Sequence, residues 1–127
     1  MEIKRTLENM KPIAASGRRR FLHLRLRVAG EKQESLLSFL REAVPFYEEP
    51  GGIHVRLLRS LEDPARFIEE VEYRDAETYD RDQVRVESDA RMRSLLDRWR
   101  VLLEGPAEVE RYEDVTGLLW AENGGEP

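Results

Sequence analysis

From Arg20 the chain alternates strictly between apolar and polar positions. Leu22, Leu24, Leu26 and Val28 fall on one face, and Phe21, His23, Arg25 and Arg27 on the other. A period of two is that of a half-buried strand, so the pattern predicts a first strand closed by Gly30. The same alternation returns in PGGIHVRLLRSLEDPARFIEEVEY: Ile53, Val55 and Leu57 against His54 and Arg56, then Phe67, Val71 and Tyr73 against Ile68, Glu70 and Glu72. Pro64 has no N–H to give to a ladder and presets a turn. The segment is therefore an antiparallel hairpin broken near Leu61–Pro64.

Between these strands the period lengthens. Leu36, Leu37, Leu40, Ala43, Val44 and Tyr47 form one apolar helical stripe, with Pro45 expected to kink or end it in its last turn. Gly51 and Gly52 then permit a tight reversal into the hairpin. After Tyr73, Asp75 suits the cap of a short helix over Ala76–Arg81, while the charge of DRDQVRVESD obscures any period. A longer helix is predicted from about Ser88, with Met92, Leu95, Leu96, Trp99, Leu102 and Leu103 as its stripe, closed by Gly105 and Pro106. A last strand carries Val109, Arg111, Glu113 and Val115 on one face and Glu108, Glu110, Tyr112 and Asp114 on the other.

The order strand, helix, strand, strand, helix, strand is the ferredoxin-like βαββαβ plan, an α+β fold whose right-handed crossovers place the strands 2-3-1-4 in an antiparallel sheet. Charge provides a separate indication. In that order the polar faces carry Arg56, then Glu70 and Glu72, then Arg25 and Arg27, then Glu108 and Glu110, so unlike charges lie side by side. Sequential order would set the two acidic strands together.

At 127 residues with 40% hydrophobic and 37% charged content, the chain is expected to form one domain, over residues 18–116. A 1–17 arm and a 117–127 tail flank it; Leu118, Leu119 and Trp120 make that tail too apolar to stay free in water. The absence of cysteine excludes disulfides, thiolate metal sites and cysteine nucleophiles. No apolar run is long enough for a membrane span and the first residues lack a signal-peptide core, so a cytoplasmic protein without membrane partners is expected.

Four stretches together resemble the antibiotic-biosynthesis-monooxygenase-like family of dimeric α/β-barrel proteins. EEPGGIHVRLLRSLEDPARF is similar to that family's "EPG, strand, S-x-x-x-P, x-R-F" hairpin, and Phe67–Asp75 to its third strand running into a short acidic helix. RMRSLLDRWRVLLEGP resembles its second long helix and AEVERYEDV its last strand. The resemblance spans Arg20–Val115. It implies a two-fold dimer in which two sheets face each other, with Phe21, His23, Arg25, Arg27, Arg56, Glu70, Glu72, Glu110 and Tyr112 between the subunits. Charges buried there must be paired or hydrated, and Tyr112, Phe21 and Leu58 would form the apolar part. It also implies a ligand pocket between sheet and helices, bounded by Phe67, Glu69, Val71, Tyr73, Trp99 and Arg111. Members with known activity oxygenate an aromatic substrate without a cofactor, or degrade haem using a helix histidine. Here Val71 stands where many members have glutamate and Asp82 near the common histidine, which leaves the haem reading without an axial ligand. No cofactor and no metal are therefore expected.

Other features admit simpler readings. His23 and His54 suit acid–base chemistry by residue type, but the strand order separates them, and they are read as ordinary interface residues. Tyr73 and Trp99 could stack on a planar substrate, or serve only as core. Glu69 and Arg111 share the leucine-side face; beneath a helix such a pair could orient a polar substrate group, but they are read rather as a salt bridge at the rim. Arg18, Arg19 and Arg20 would suit phosphate, yet no aromatic stacking motif follows and Glu70, Glu72 and Glu110 would repel nucleic acid. The acidic run from Asp75 to Asp89 lacks the spacing and glycine of a calcium loop. Two function classes remain: a cofactor-independent monooxygenase acting on a small aromatic compound, and a non-catalytic dimeric ligand-binding or assembly domain.

Overall fold

A computed structural model describes residues 17–120. Most of the 1–17 arm and the end of the 117–127 tail lie outside the described residues. Strand β1 (Arg20–Arg27) is followed by a 3-10 turn (Gly30–Lys32) and helix α1 (Gln33–Glu48). The hairpin β2 (Ile53–Arg59) and β3 (Arg66–Tyr73) comes next, then α2 (Ala76–Ser88), α3 (Ala90–Arg100), β4 (Glu108–Glu113) and a closing 3-10 turn (Thr116–Leu119). The four strands form one sheet in the order β2-β3-β1-β4, antiparallel throughout. The fold class and strand order expected from the sequence are the ones found. Among the described residues no helix is long and apolar enough to cross a membrane.

Register follows from the alternation. Leu22 pairs with Val71 and Arg111, Leu24 with Glu69 and Val109, and Val55 with Val71, so the apolar positions of all four strands share a face. All three helices cover that face: α1 packs against β2, α2 against β3, and α3 against both α1 and α2. The core is lopsided. Val28, Leu36 and Ala43 are completely buried with Leu26, Phe39, Leu40, Phe67 and Trp99 around them, whereas β4 is exposed at nearly every position.

Caps explain the helix boundaries that the sequence left indistinct. Asp75 accepts from the Thr78 N–H at 2.8 Å, as expected of a capping residue, but α2 runs on to Ser88 instead of ending at Arg81. Asp89 then adopts an extended backbone and accepts from the Met92 N–H at 2.8 Å, which starts α3 afresh at Ala90. Helix α3 stops at Arg100, short of the Gly105–Pro106 punctuation, so Leu102 and Leu103 pack from a turn. Pro45 does not end α1 at once; the helix continues to Glu48. Gly51 and Gly52 both have positive φ, 87° and 74°, a torsion that favours glycine at this reversal. Leu118, Leu119 and Trp120 are exposed in the single chain.

The uncovered face carries the charge ladder. Arg56 donates to both Glu70 and Glu72 at 2.9 Å, His23 lies 2.9 Å from Glu70, and Arg25 reaches Glu110 at 3.4 Å. Phe21 and Tyr112 are register partners on this face, and Tyr112 packs edge-on against His23. Arg27 turns aside to Asp63 in the hairpin turn. Leu58 and Tyr112 leave apolar surface among the charges.

Candidate functional site

Beneath the helices the sheet is not completely filled. A cavity of about 570 Å³ opens between the β1–β4 side of the sheet and the α2–α3 side of the helical layer. It continues inward to a chamber of about 90 Å³; Leu22, Leu24, Tyr73, Val86, Leu96 and Trp99 line both. The cavity exists because α1 and α3 close over the Leu26 and Phe67 end of β1 and β3, while no helix packs closely on β4.

Polar groups enter this apolar space from three directions. Glu69, on β3, is 3% exposed and lines the inner chamber; its Oε1 accepts from the Trp99 indole N–H at 3.0 Å. Burial pushes its carboxyl up to about 7, only partly opposed by that hydrogen bond. Tyr73, at the end of β3, donates to Asp82 Oδ2 at 2.6 Å, and burial first, then the nearby Asp82 charge, raise its phenol well above the ordinary value. Asp82 Oδ1 accepts from Arg85 Nε at 3.2 Å, and the same guanidinium donates to the carbonyls of Phe46 and Tyr47 at 3.0 and 2.8 Å. One arginine thus ties the end of α1 to α2 and, through Asp82, to β3. At the outer end Tyr79 stands edge-on to Tyr73, their centroids 5.2 Å apart, and accepts from Arg111 Nε at 3.0 Å.

The residues named from the sequence separate as follows. Glu69, Val71, Tyr73 and Trp99 line the inner chamber and Arg111 the outer cavity. Phe67 belongs to the packed core with Leu26 and Leu36, where α1 closes the sheet, and does not line the cavity. The rim salt bridge between Glu69 and Arg111 is not made. Their strands are separated by β1, Glu69 is sealed beneath Trp99, and Arg111 engages Tyr79. His23 and His54 lie on strands separated by β3, and among the described residues no group of three or more His, Cys, Asp or Glu is placed to hold a metal.

Sequence reasoning missed the contribution of α2: Tyr79, Asp82, Gln83, Arg85 and Val86. The signal was present, since Tyr79, Gln83 and Val86 recur at helical spacing after the Asp75 cap. The charged residues between them concealed it.

Residues 20–81 match the family model for antibiotic biosynthesis monooxygenase. No curated protein matches the chain. Among solved structures, a proposed antibiotic biosynthesis monooxygenase from Bordetella bronchiseptica superposes with a TM-score of 0.64 at 18% identity, covering 77% of this chain and 98% of that one. A second such protein, from Nitrosomonas europaea, gives 0.65 at 18% identity over 79% and 93%. A conserved protein from Methanosarcina mazei gives 0.64 at 16% over 77% and 94%. At these identities the likeness is one of fold, and its sequence counterpart is the match from β1 into α2. In sequence the chain is antibiotic-biosynthesis-monooxygenase-like over residues 20–81, and its fold is the one these solved structures share.

Proposed function

We propose that the chain binds a small aromatic organic molecule between sheet and helices and oxygenates it without a cofactor. The observation that carries this reading is the cavity of about 570 Å³, of ordinary size for a small-molecule site, walled by Leu22, Leu24, Leu96 and two aromatic rings. In such a reaction the substrate itself supplies the two electrons: one atom of O2 replaces two hydrogens on a ring carbon as a carbonyl, and the other leaves with those hydrogens as water. The protein therefore has to orient a ring and accept hydrogen bonds. Tyr73 and Trp99 supply flat walls, and Glu69 offers a carboxyl held in place by Trp99.

Native mass spectrometry of the purified protein should show a retained small molecule, and supplying that compound should produce oxygen uptake. Tyr73→Ala should then lower turnover strongly, but will itself cost about 3–5 kcal/mol of stability by opening a cavity. Tyr73→Phe separates the two effects by keeping the ring. Unchanged kinetics in both variants would remove Tyr73 from the site.

A second reading, a binding domain without chemistry, is favoured by one observation: the Tyr73 hydroxyl and the Trp99 N–H are already engaged, by Asp82 and Glu69. Recovery of a retained ligand unchanged after incubation under oxygen would select it.

We further infer that the charged face meets a second copy. A face with Leu58 46% and Tyr112 48% exposed among paired charges is suited to self-complementary two-fold contact. Light scattering across micromolar dilution should report twice the 14.9 kDa chain mass. A stable monomer over that range would refute the pairing.

A further inference from the structure

The outer end of the cavity is rich in donors that lack acceptors. Gln83 Nε2, on α2, and Arg20 Nε, on β1, are buried without a hydrogen-bond partner. Gln83 lines the large cavity together with Arg111. Arg111 spends one N–H on the Tyr79 hydroxyl and meets no carboxylate among the described residues. The Arg20 guanidinium lies over the same Tyr79 ring, 5.7 Å from its centroid. Tyr79 and Gln83 are one helical turn apart, and Arg20 and Arg111 occupy neighbouring strands on one face of the sheet; Gln83 and Arg111 line the cavity itself, with Tyr79 and Arg20 beside Arg111. The carboxylate paired with Arg20 in the ladder, Glu113, is engaged by Arg18 at 3.3 Å.

A buried N–H without an acceptor is unfavourable, and a guanidinium cannot relieve the problem by losing its proton. Two such groups beside a further guanidinium make a place where an anion would satisfy what the protein leaves open. The opposite end of the space is acidic, at Glu69; Leu22, Leu24, Leu96 and the Tyr73 and Trp99 rings line the stretch between, with Asp82 on the wall of the inner chamber.

We propose that the cavity takes an aromatic carboxylate, its carboxylate accepting from Gln83 Nε2 and the Arg111 guanidinium, with Arg20 adding positive charge. Its ring lies inward against Tyr73, Leu96 and Trp99. This rests on the reading that the cavity holds an aromatic molecule, and it specifies which kind and which way round.

Isothermal titration of the full chain at pH 7.5 with 2-naphthoate and with naphthalene-2-carboxamide, a neutral molecule of nearly the same shape, tests it. Naphthoate should bind at least about tenfold more tightly, as expected for charge-assisted hydrogen bonds. Arg111→Leu and Gln83→Leu should each remove most of that preference, weakening naphthoate more than the carboxamide, whose carbonyl accepts from the same donors without a full charge. Arg111 is exposed on an edge strand, so its substitution should leave folding intact; circular dichroism checks both variants. Equal affinities in the unaltered chain would overturn the anion subsite and leave the cavity reading standing. A preference surviving in both variants would overturn the assignment to Gln83 and Arg111. Failure of both probes to bind would overturn the subsite and the aromatic-cavity reading together.

Discussion

Asp82→Ala should destabilise the domain by about 3–5 kcal/mol, the range for breaking a buried ion pair from one side. Asp82 joins two groups that have few alternatives. It receives the Tyr73 hydroxyl at 2.6 Å and Arg85 Nε at 3.2 Å, with the two charged side chains only 9% and 16% exposed. Its removal leaves a guanidinium inside the helical layer with the Phe46 and Tyr47 carbonyls and the Phe46 ring but no carboxylate to face, and a buried phenol without an acceptor. Arg85→Met should cost less than Asp82→Ala, since methionine fills the space without a charge, and the double variant should cost less than the sum of the single ones. Urea denaturation of the four proteins measures the coupling. Strict additivity would show that Asp82 and Arg85 act independently.

Glu69→Gln should make the protein more stable above neutral pH and flatten its stability profile between pH 5 and 8. Burial raises the folded carboxyl from 4.5 to about 7. Between those values the folded chain holds a proton that the unfolded chain has released. The stability attached to that proton is complete below about pH 4.5 and is lost as pH rises through about 7. Glutamine preserves an acceptor for the Trp99 N–H but carries no charge to desolvate. The difference between variant and parent should therefore grow with pH, to about 1–3 kcal/mol at pH 8. Denaturation midpoints across this range decide the matter, and parallel profiles would show that Glu69 does not titrate in the folded protein near neutrality.

The sheet was legible in the sequence because a strand displays its two environments at every second residue. Leu22, Leu24 and Leu26 against His23, Arg25 and Arg27 admitted one assignment of faces, and the signs of Arg56, Glu70, Arg25 and Glu110 indicated which strands are neighbours. The face of Glu69 could be assigned in the same way. Its depth could not, because depth is set by what α3 lays over it. Trp99 covers Glu69, and nothing in the spacing of either residue states that an indole N–H will meet that carboxylate. Phe67 presents the same difficulty, since its parity assigns it to the helix side but only the position of α1 decides between cavity and core. Helix α2 was obscured for another reason. Its inward positions are Tyr79, Asp82, Gln83 and Val86, and a buried face so polar does not stand out from its surroundings.

The uneven thickness of the helical layer gives the two halves of the molecule different freedoms. Strand β4 forms one wall of the outer cavity but is joined to the sheet only along β1, and its residues contribute little to the buried interior. Parting it from β1 would sacrifice a single short ladder and leave Val28, Leu36, Ala43 and their neighbours undisturbed. Opening at this margin would therefore leave the rest of the domain as a fixed frame.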